Sequence, residues 1–421
     1  MLFVTIAYLK FLAILFAVYW ILSLFKNSNL RKYCLLIGGI YFWGQDYITD
    51  HRFPFLLCVS LFGNYSIYLL FTRKKKQFGL WVAVLFNLGV LLFNFRDFYS
   101  LIFQLIDLEN SFPYYRTLGI SFYSIAFIQF HFDLYKNEKI EKVSILDFFL
   151  FGSFFPISNA GPIPRWRKFT QEFQPTLNIF YSCIGKGLFW ILYGFLKKIL
   201  LAGPTGQYAD ILFFRLDEEI SSSDLILGLY LNTFVIYLDF SSFADIARGS
   251  AKLFGYDLPM NFRAPFLADS VFAYLLRWNR TLGVFLKERF YSLIQYSKMP
   301  VALSLGILCS FYFLWLKISW VSLIFGGVLF VVLVLEYKFP FGNFKTKISK
   351  PIRILTSFHI WVFLWMVVRF NNWKEMENYF YKIIESGPEI FESGSRNHIF
   401  IIFGIVLLSQ FLEKKYRKVF L

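Results

Sequence analysis

The segment YLDFSSFADIARG, residues 237–249, sets Asp239, Ser241, Ser242, Asp245 and Arg248 at the end of a strongly apolar run. Carboxylates, hydroxyls and a guanidinium can hold a charged group or orient a hydroxyl. Each is costly against lipid, so the set must face a polar interior or water. On a helix Asp245 and Arg248, three apart, can pair, whereas Asp239 needs a partner from elsewhere. A structural hydrogen-bond network and direct substrate contact are both open to such a set.

The surroundings are those of a membrane protein. Apolar residues make up 57% of the 421 and aromatic ones 22%, and the charged share of 17% falls below the quarter typical of a soluble domain. Apolar runs long enough for the bilayer core recur throughout. The net charge of +16, from 43 Lys and Arg against 27 Asp and Glu, is gathered just beyond apolar runs, as at 73–76 and 414–418. That placement reads as a topology signal and as contact with anionic membrane lipid, not as a nucleic-acid surface. Cys34, Cys58, Cys183 and Cys309 lie inside apolar runs with no spacing that suggests metal or a disulfide framework.

Candidate spans fall at 2–24, 33–45, 53–72, 77–95, 117–133, 178–200, 224–240, 300–317, 319–336, 351–370 and 397–413, about eleven crossings in one polytopic domain, residues 1–421. The first run lacks a signal-peptide cleavage site and is expected to stay as a span. With the N-terminus outside and the C-terminus cytoplasmic, the short loops at 25–32, 73–76 and 337–350 hold the basic excess, and the glutamate-rich loop at 371–396 lies outside. The boundary near Lys317 has no turn signal. Residues 145–163 are apolar but broken by Gly152, Pro156, Gly161 and Pro162, which predicts a re-entrant segment walled by other helices. Residues 260–295, within a cytoplasmic segment at about 241–299, mix aromatics with Arg and Lys as interfacial helices do. The chain shows no internal repeat, and its hydropathy lacks the paired broken helices of an inverted-repeat transporter.

Several segments, in one order, resemble the membrane-bound O-acyltransferases (MBOAT), particularly the bacterial branch that esterifies alginate, teichoic acid and other envelope polymers. PYYRTLGISFYSIAFIQFHFDLYKNE (113–138) looks like that family's LGISFYTFQ segment, FFPISNAGPIPR (154–165, ending at Arg165) like its FFPxxxxGPIxR motif, and GLFWILYGFLKKILLAGPTGQYADILF (187–213) like its next helix. YLDFSSFADIARGSAKLFGYDLPMNFRAPF (237–266) follows the family's YLDFSGYSDIAxGxAxLxGxxLPxNFxxPF almost position by position, and Arg277-Trp278 and TSFHIWVFLWMVVRF come after it. The resemblance implies an all-α, polytopic membrane bundle in which an acyl group passes from a cytoplasmic thioester to a hydroxyl outside. The donor would be an acyl-CoA or an acyl carrier protein thioester, with no bound cofactor and no metal. A partner is implied too, either the carrier protein or an extracytoplasmic SGNH-hydrolase-like transferase. A cytoplasmic (inner) membrane location follows, as do substrate-tunnel roles for Arg165, Asp239, Ser241, Asp245, Arg277, Trp278 and Trp315.

At the reacting positions the chain departs from the family pattern. Asn279 stands where the bacterial branch has the first histidine of RWHxTL, and an amide can orient a substrate or donate to an oxyanion but cannot act as a base. Leu316 stands at the histidine of GLWHGxxW, and a leucine cannot replace that base. The glutamine of FYTFQ is Ala126, and the PLGG stretch after Tyr291 is missing. His359, mid-span, and His131 are expected to be packed, His51 and His398 to lie near span ends, and Lys317 to serve as a base only if burial depresses its pKa. Two functions compete. One is acyl transfer with an altered catalytic pair; the other is an inactive scaffold, or an acyl or lipid conduit, for a partner enzyme.

Overall fold

A computed structural model describes residues 3–25, 27–45, 52–71, 76–93, 119–136, 143–158, 161–171, 177–214, 220–290, 300–316, 320–339, 349–366, 369–370, 372–387 and 396–415. His51, Lys317, residues 73–75 and residues 416–418 lie outside them. The regular structure among the described residues is helical: α1 (Ile6–Leu22), α2 (Ser28–Gly44), α3 (Arg52–Phe71), α4 (Lys76–Phe93), α5 (Ile120–Tyr135), α6 (Ile145–Ser153), α7 (Trp166–Gln171), α8 (Leu177–Leu196), α9 (Gly203–Phe214), α10 (Ser222–Leu253), α11 (Val271–Leu275), α12 (Arg280–Phe285), α13 (Val301–Leu316), α14 (Trp320–Lys338), α15 (Lys350–Trp365), α16 (Trp373–Glu385) and α17 (Arg396–Lys415). Each of the eleven apolar runs coincides with a helix. Among the described residues, two helices are long and apolar enough by themselves to cross a bilayer, Ser222–Leu253 and Val321–Lys338.

The chain forms two compact units, Met1–Phe195 with Phe243–Pro259, and Leu196–Ser242 with Met260–Leu421. Helix α10 belongs to both. The apolar pattern ends it near residue 240, yet it runs on as a single helix of 32 residues to Leu253. The polar residues that end the hydrophobic run are still compatible with helix, and no proline interrupts them.

In the first unit, α1 receives the end of α10. The last carbonyls of a helix have no partner within it. Here Tyr19 donates its hydroxyl to the Phe254 carbonyl at 2.9 Å and Trp20 its indole N–H to that of Leu253 at 3.0 Å, while the Tyr8 and Ser250 hydroxyls meet at 2.6 Å. Gly255, at φ 88, closes the helix: the Tyr256 N–H reaches the Ala251 carbonyl and the Gly255 N–H that of Lys252, the paired bonds of a glycine-terminated helix. Gly249 lets α10 touch α8, since a Cβ there would lie 2.6 Å from the Gly187 carbonyl and 2.7 Å from the Ile191 nitrogen. The Ile191 Cγ1 atom would lie equally close, at 2.7 Å, so two of the three obstacles are backbone.

Helices α3 and α4 are joined by a reciprocal amide pair. Asn64 donates to Asn87 Oδ1 at 3.2 Å and Asn87 to Asn64 Oδ1 at 2.8 Å, and each amide also donates to the carbonyl four residues back in its own helix. Both side chains are fully buried. The proline- and glycine-broken stretch begins with α6, continues as a 3₁₀ turn at Phe155–Ile157 and is buried from Leu150 through Pro164, apart from residues 159 and 160, which lie outside the described set. Trp43 donates to the Ser153 carbonyl at 3.0 Å, and a Cβ on Gly39 would meet that same oxygen at 2.6 Å.

In the second unit Arg369 gathers three elements. It donates to Asp210 at 2.5 Å and to Asn232 Oδ1 at 3.0 Å, and its guanidinium lies over the Phe213 ring at 5.1 Å. Tyr379 of α16 stacks on Phe213 at 4.7 Å and donates to the Leu225 carbonyl. The segment at 260–295, which the sequence places at an interface, buries Phe262, Phe266, Tyr274, Trp278 and Phe285.

Two substitutions test these contacts. Asn64→Leu leaves the Asn87 amide buried without its partner and is expected to cost about 1–3 kcal/mol, whereas Asn64→Leu with Asn87→Leu recovers most of the loss. Thermal unfolding of the solubilised protein reads both. Gly249→Ala is expected to destabilise by about 1–3 kcal/mol, because the methyl group meets the backbone of Gly187 and Ile191, which cannot give way as a side chain could.

Candidate functional site

The site grows from two strands of irregular chain in the second unit that hold each other in place. Asn261 Oδ1 accepts from the Thr281 hydroxyl at 2.7 Å and from its N–H at 3.2 Å. The Arg280 N–H donates to the Asn261 carbonyl at 2.7 Å, and the Arg263 N–H to that of Arg277 at 3.0 Å. Arg277 reaches back to the Leu267 carbonyl at 2.8 Å and to that of Ala264 at 3.4 Å. Ala264 has φ 43, a left-handed conformation that an alanine adopts only when its surroundings require it.

This lattice holds Asn279 at φ 40 and ψ 56, at the start of α12, where asparagine tolerates the left-handed region better than most residues. Its carbonyl accepts the first helical bond, from the Gly283 N–H at 3.0 Å, but its side chain caps nothing. The side chain is 3% exposed, and its Oδ1 is buried with no hydrogen-bond partner. Buried amide oxygens are nearly always satisfied, so a bare one held in a strained turn is a candidate ligand contact.

An aromatic platform lies under the turn. Trp278 packs on Trp365 at 4.4 Å and nearly parallel to Tyr274 at 5.7 Å, and Tyr274 stacks on Trp361 at 4.3 Å. The Trp365 indole donates to the Tyr274 oxygen at 3.0 Å, and burial pushes that phenol well above its ordinary pKa, so it stays neutral. Tyr237, the first residue of YLDFS, meets the Trp278 ring at 6.1 Å and so ties α10 to the turn.

Further along α10 the polar residues find lysines that the sequence reading passed over. The chain leaves α8 through a π-helical turn at Lys197–Ala202, an irregularity common at functional sites. Lys198 is the partner Asp239 needs, at 2.6 Å, and buried Lys197 donates to the Ser241 hydroxyl at 3.1 Å. Two lysines inside the 178–200 run, where charge is expensive, were the available signal. Asp245 and Arg248 fall in the first unit, both buried. The Arg248 guanidinium lies 4.2 Å over the Trp190 ring and donates to the Leu258 carbonyl at 3.2 Å. Arg165, also in the first unit, is exposed.

Trp315 and Leu316 end α13, with their side chains outside the described set. Of the histidines, His131 is buried edge-on against Phe130. His359 is exposed on α15 instead of packed, because its side of the helix turns away from the core residues Trp361 and Trp365, and its Nδ1 bonds the Leu355 carbonyl at 2.8 Å. His398 lies on α17 with its side chain outside the described set. Among the described residues no cluster of His, Cys, Asp or Glu could hold a metal ion.

No family model matches the chain. Curated relatives do. A peptidoglycan O-acetyltransferase of Helicobacter pylori is 27% identical over 412 residues, covering 86% of this chain and 75% of that protein. A probable alginate O-acetylase AlgI of Azotobacter vinelandii is 26% identical over 267 residues, covering 61% of this chain and 51% of the relative. A teichoic acid D-alanyltransferase of Bacillus subtilis is 27% identical over 177 residues, covering 41% of this chain and 44% of that protein. The chain thus spans three quarters of the first of these and about half of the others. Three acyltransferases of different envelope polymers match one chain that carries the YLDFS helix and the Arg277-Trp278 turn in the family's order. The chain is thus similar to acyltransferases of three envelope polymers, which are members of the membrane-bound O-acyltransferase family.

Proposed function

We propose that this protein is a membrane-embedded O-acyltransferase that moves an acyl group from a cytoplasmic thioester, on coenzyme A or an acyl carrier protein, to a hydroxyl of an extracytoplasmic envelope polysaccharide. The observation that carries this reading is the buried, unpartnered Oδ1 of Asn279, fixed in a left-handed turn where the family pattern has its first histidine. The acceptor hydroxyl donates its hydrogen to that oxygen, which turns an oxygen lone pair toward the thioester carbonyl. The new C–O bond forms, the C–S bond breaks, and the departing thiolate takes up the proton that the hydroxyl loses. Asn279 orients but does not accept the proton, so this enzyme lacks the general-base contribution, typically about 10²- to 10⁴-fold.

The lysine-bound Asp239 and Ser241 and the Arg277-Trp278 turn hold the walls of this site in the second unit. The surrounding architecture in this reading is about eleven crossings of the cytoplasmic membrane, with the N-terminus outside. A second reading, an inactive scaffold or acyl conduit, is favoured by one observation, the leucine at position 316.

Purified protein in lipid, given short-chain acyl thioesters, separates the two. Asn279→Ala is expected to lower turnover about 10- to 100-fold, the value of one or two buried hydrogen bonds, and Leu316→His to raise it. Turnover that appears only when Leu316→His and Asn279→His are combined would sink the enzyme reading in favour of the scaffold. Asn261→Ala, which releases Thr281 and loosens the turn, is expected to lose about 1–2 kcal/mol of stability and to lower turnover without touching substrate.

A further inference from the structure

Helix α17 exposes Ile401, Ile405, Leu408, Phe411 and Leu412, and the residues it buries among those described are Val406 and Gln410. Phe403, on the same stripe, meets Phe234 of α10 edge-on at 4.9 Å. Gln410 is therefore a polar residue at the centre of the narrow buried face of an otherwise apolar helix, with no exposed surface at all. A glutamine in that position is expensive unless it has work to do. One end of its amide is used: Nε2 donates to the Tyr237 hydroxyl at 2.5 Å. The other end is not, for Oε1 is buried without a hydrogen-bond partner.

Tyr237 connects this amide to the site. It is the residue whose ring meets Trp278, next to Asn279. Two buried amide oxygens without donors, those of Gln410 and Asn279, thus belong to residues joined through one Tyr–Trp contact inside the second unit. Other buried polar atoms among the described residues also lack a partner, but these two are both hydrogen-bond acceptors on one connected framework, an arrangement that fits a ligand with more than one hydrogen to give. We propose that Gln410 is a specificity-determining residue whose Oε1 accepts a hydrogen bond from a second hydroxyl of the acceptor, so that the site selects a polyhydroxylated sugar over a simple alcohol. The inference rests on the acyltransferase reading and adds to it the residue that distinguishes a polysaccharide acceptor from a simple alcohol. A site built to receive a hydroxyl rejects the analogue that lacks it, because its own oxygen is then left buried and unpaired.

The test uses the full chain in lipid nanodiscs with acetyl-CoA as donor probe and, as acceptors, methyl glucoside and its monodeoxy analogues. The wild type is expected to favour the parent sugar over one deoxy analogue by about 10-fold or more in kcat/KM. Gln410→Leu should lower kcat/KM for the parent sugar to the level of that analogue, while Gln410→Glu, which keeps an acceptor oxygen, should preserve the preference. The midpoint of thermal unfolding for Gln410→Leu, or for the closer isostere Gln410→Met if the leucine variant does not fold, is expected to fall because the Tyr237 hydroxyl loses its donor, so the readout is the loss confined to the parent sugar and not the midpoint. Variants that discriminate as the wild type does overturn the inference, as does a loss that is equal on all acceptors. A wild type that acylates none of these sugars overturns the acyltransferase reading and the inference with it.

Discussion

A polar group taken out of water has to be met by another polar group, and in a chain this apolar few are within reach. Most of the architecture follows from that constraint. Asn64 and Asn87 satisfy each other across two helices that otherwise offer only hydrocarbon. Tyr19 and Trp20 take up the last carbonyls of α10. Arg369 spends its donors on Asp210 and Asn232 and lays its face on Phe213. In each case two or three helices are fixed in register by one polar meeting, because any slip would leave a charge or an amide unpaired.

Against so much satisfied polarity, the exceptions carry the functional argument. Asn279 is held in a left-handed turn by Asn261, Thr281 and the Arg277 guanidinium, and it keeps its amide oxygen bare. Gln410 keeps its own bare behind Tyr237. They are two of several buried polar atoms without a partner among the described residues, and what sets them apart is that both are amide oxygens on one framework with the Tyr237–Trp278 contact.

The lysine pair adds a second lesson. The π-helical turn after α8 changes the angular spacing of the chain, and its first two residues go to two different groups on α10, Lys197 to Ser241 and Lys198 to Asp239. Regular helical spacing places neighbours about 100° apart. The irregular turn is therefore the local feature that accompanies the double engagement of the YLDFS segment.

The sequence by itself determined the helical class, the eleven apolar runs, the likeness to envelope-polymer acyltransferases and the interest of Asp239, Ser241 and Asn279, because hydrophobic run length and an ordered set of motifs are local properties of the chain. Only the tertiary structure decided what those residues meet. Helix α10 outruns its own apolar pattern because backbone hydrogen bonding continues where hydropathy stops. Asp239 finds Lys198 and Tyr237 finds Gln410 across 41 and 173 residues of chain, separations at which residue type says nothing about proximity. Whether a buried amide is satisfied is a property of its neighbours in space, and for Asn279 and Gln410 that property, invisible in the order of residues, is the one that points to substrate.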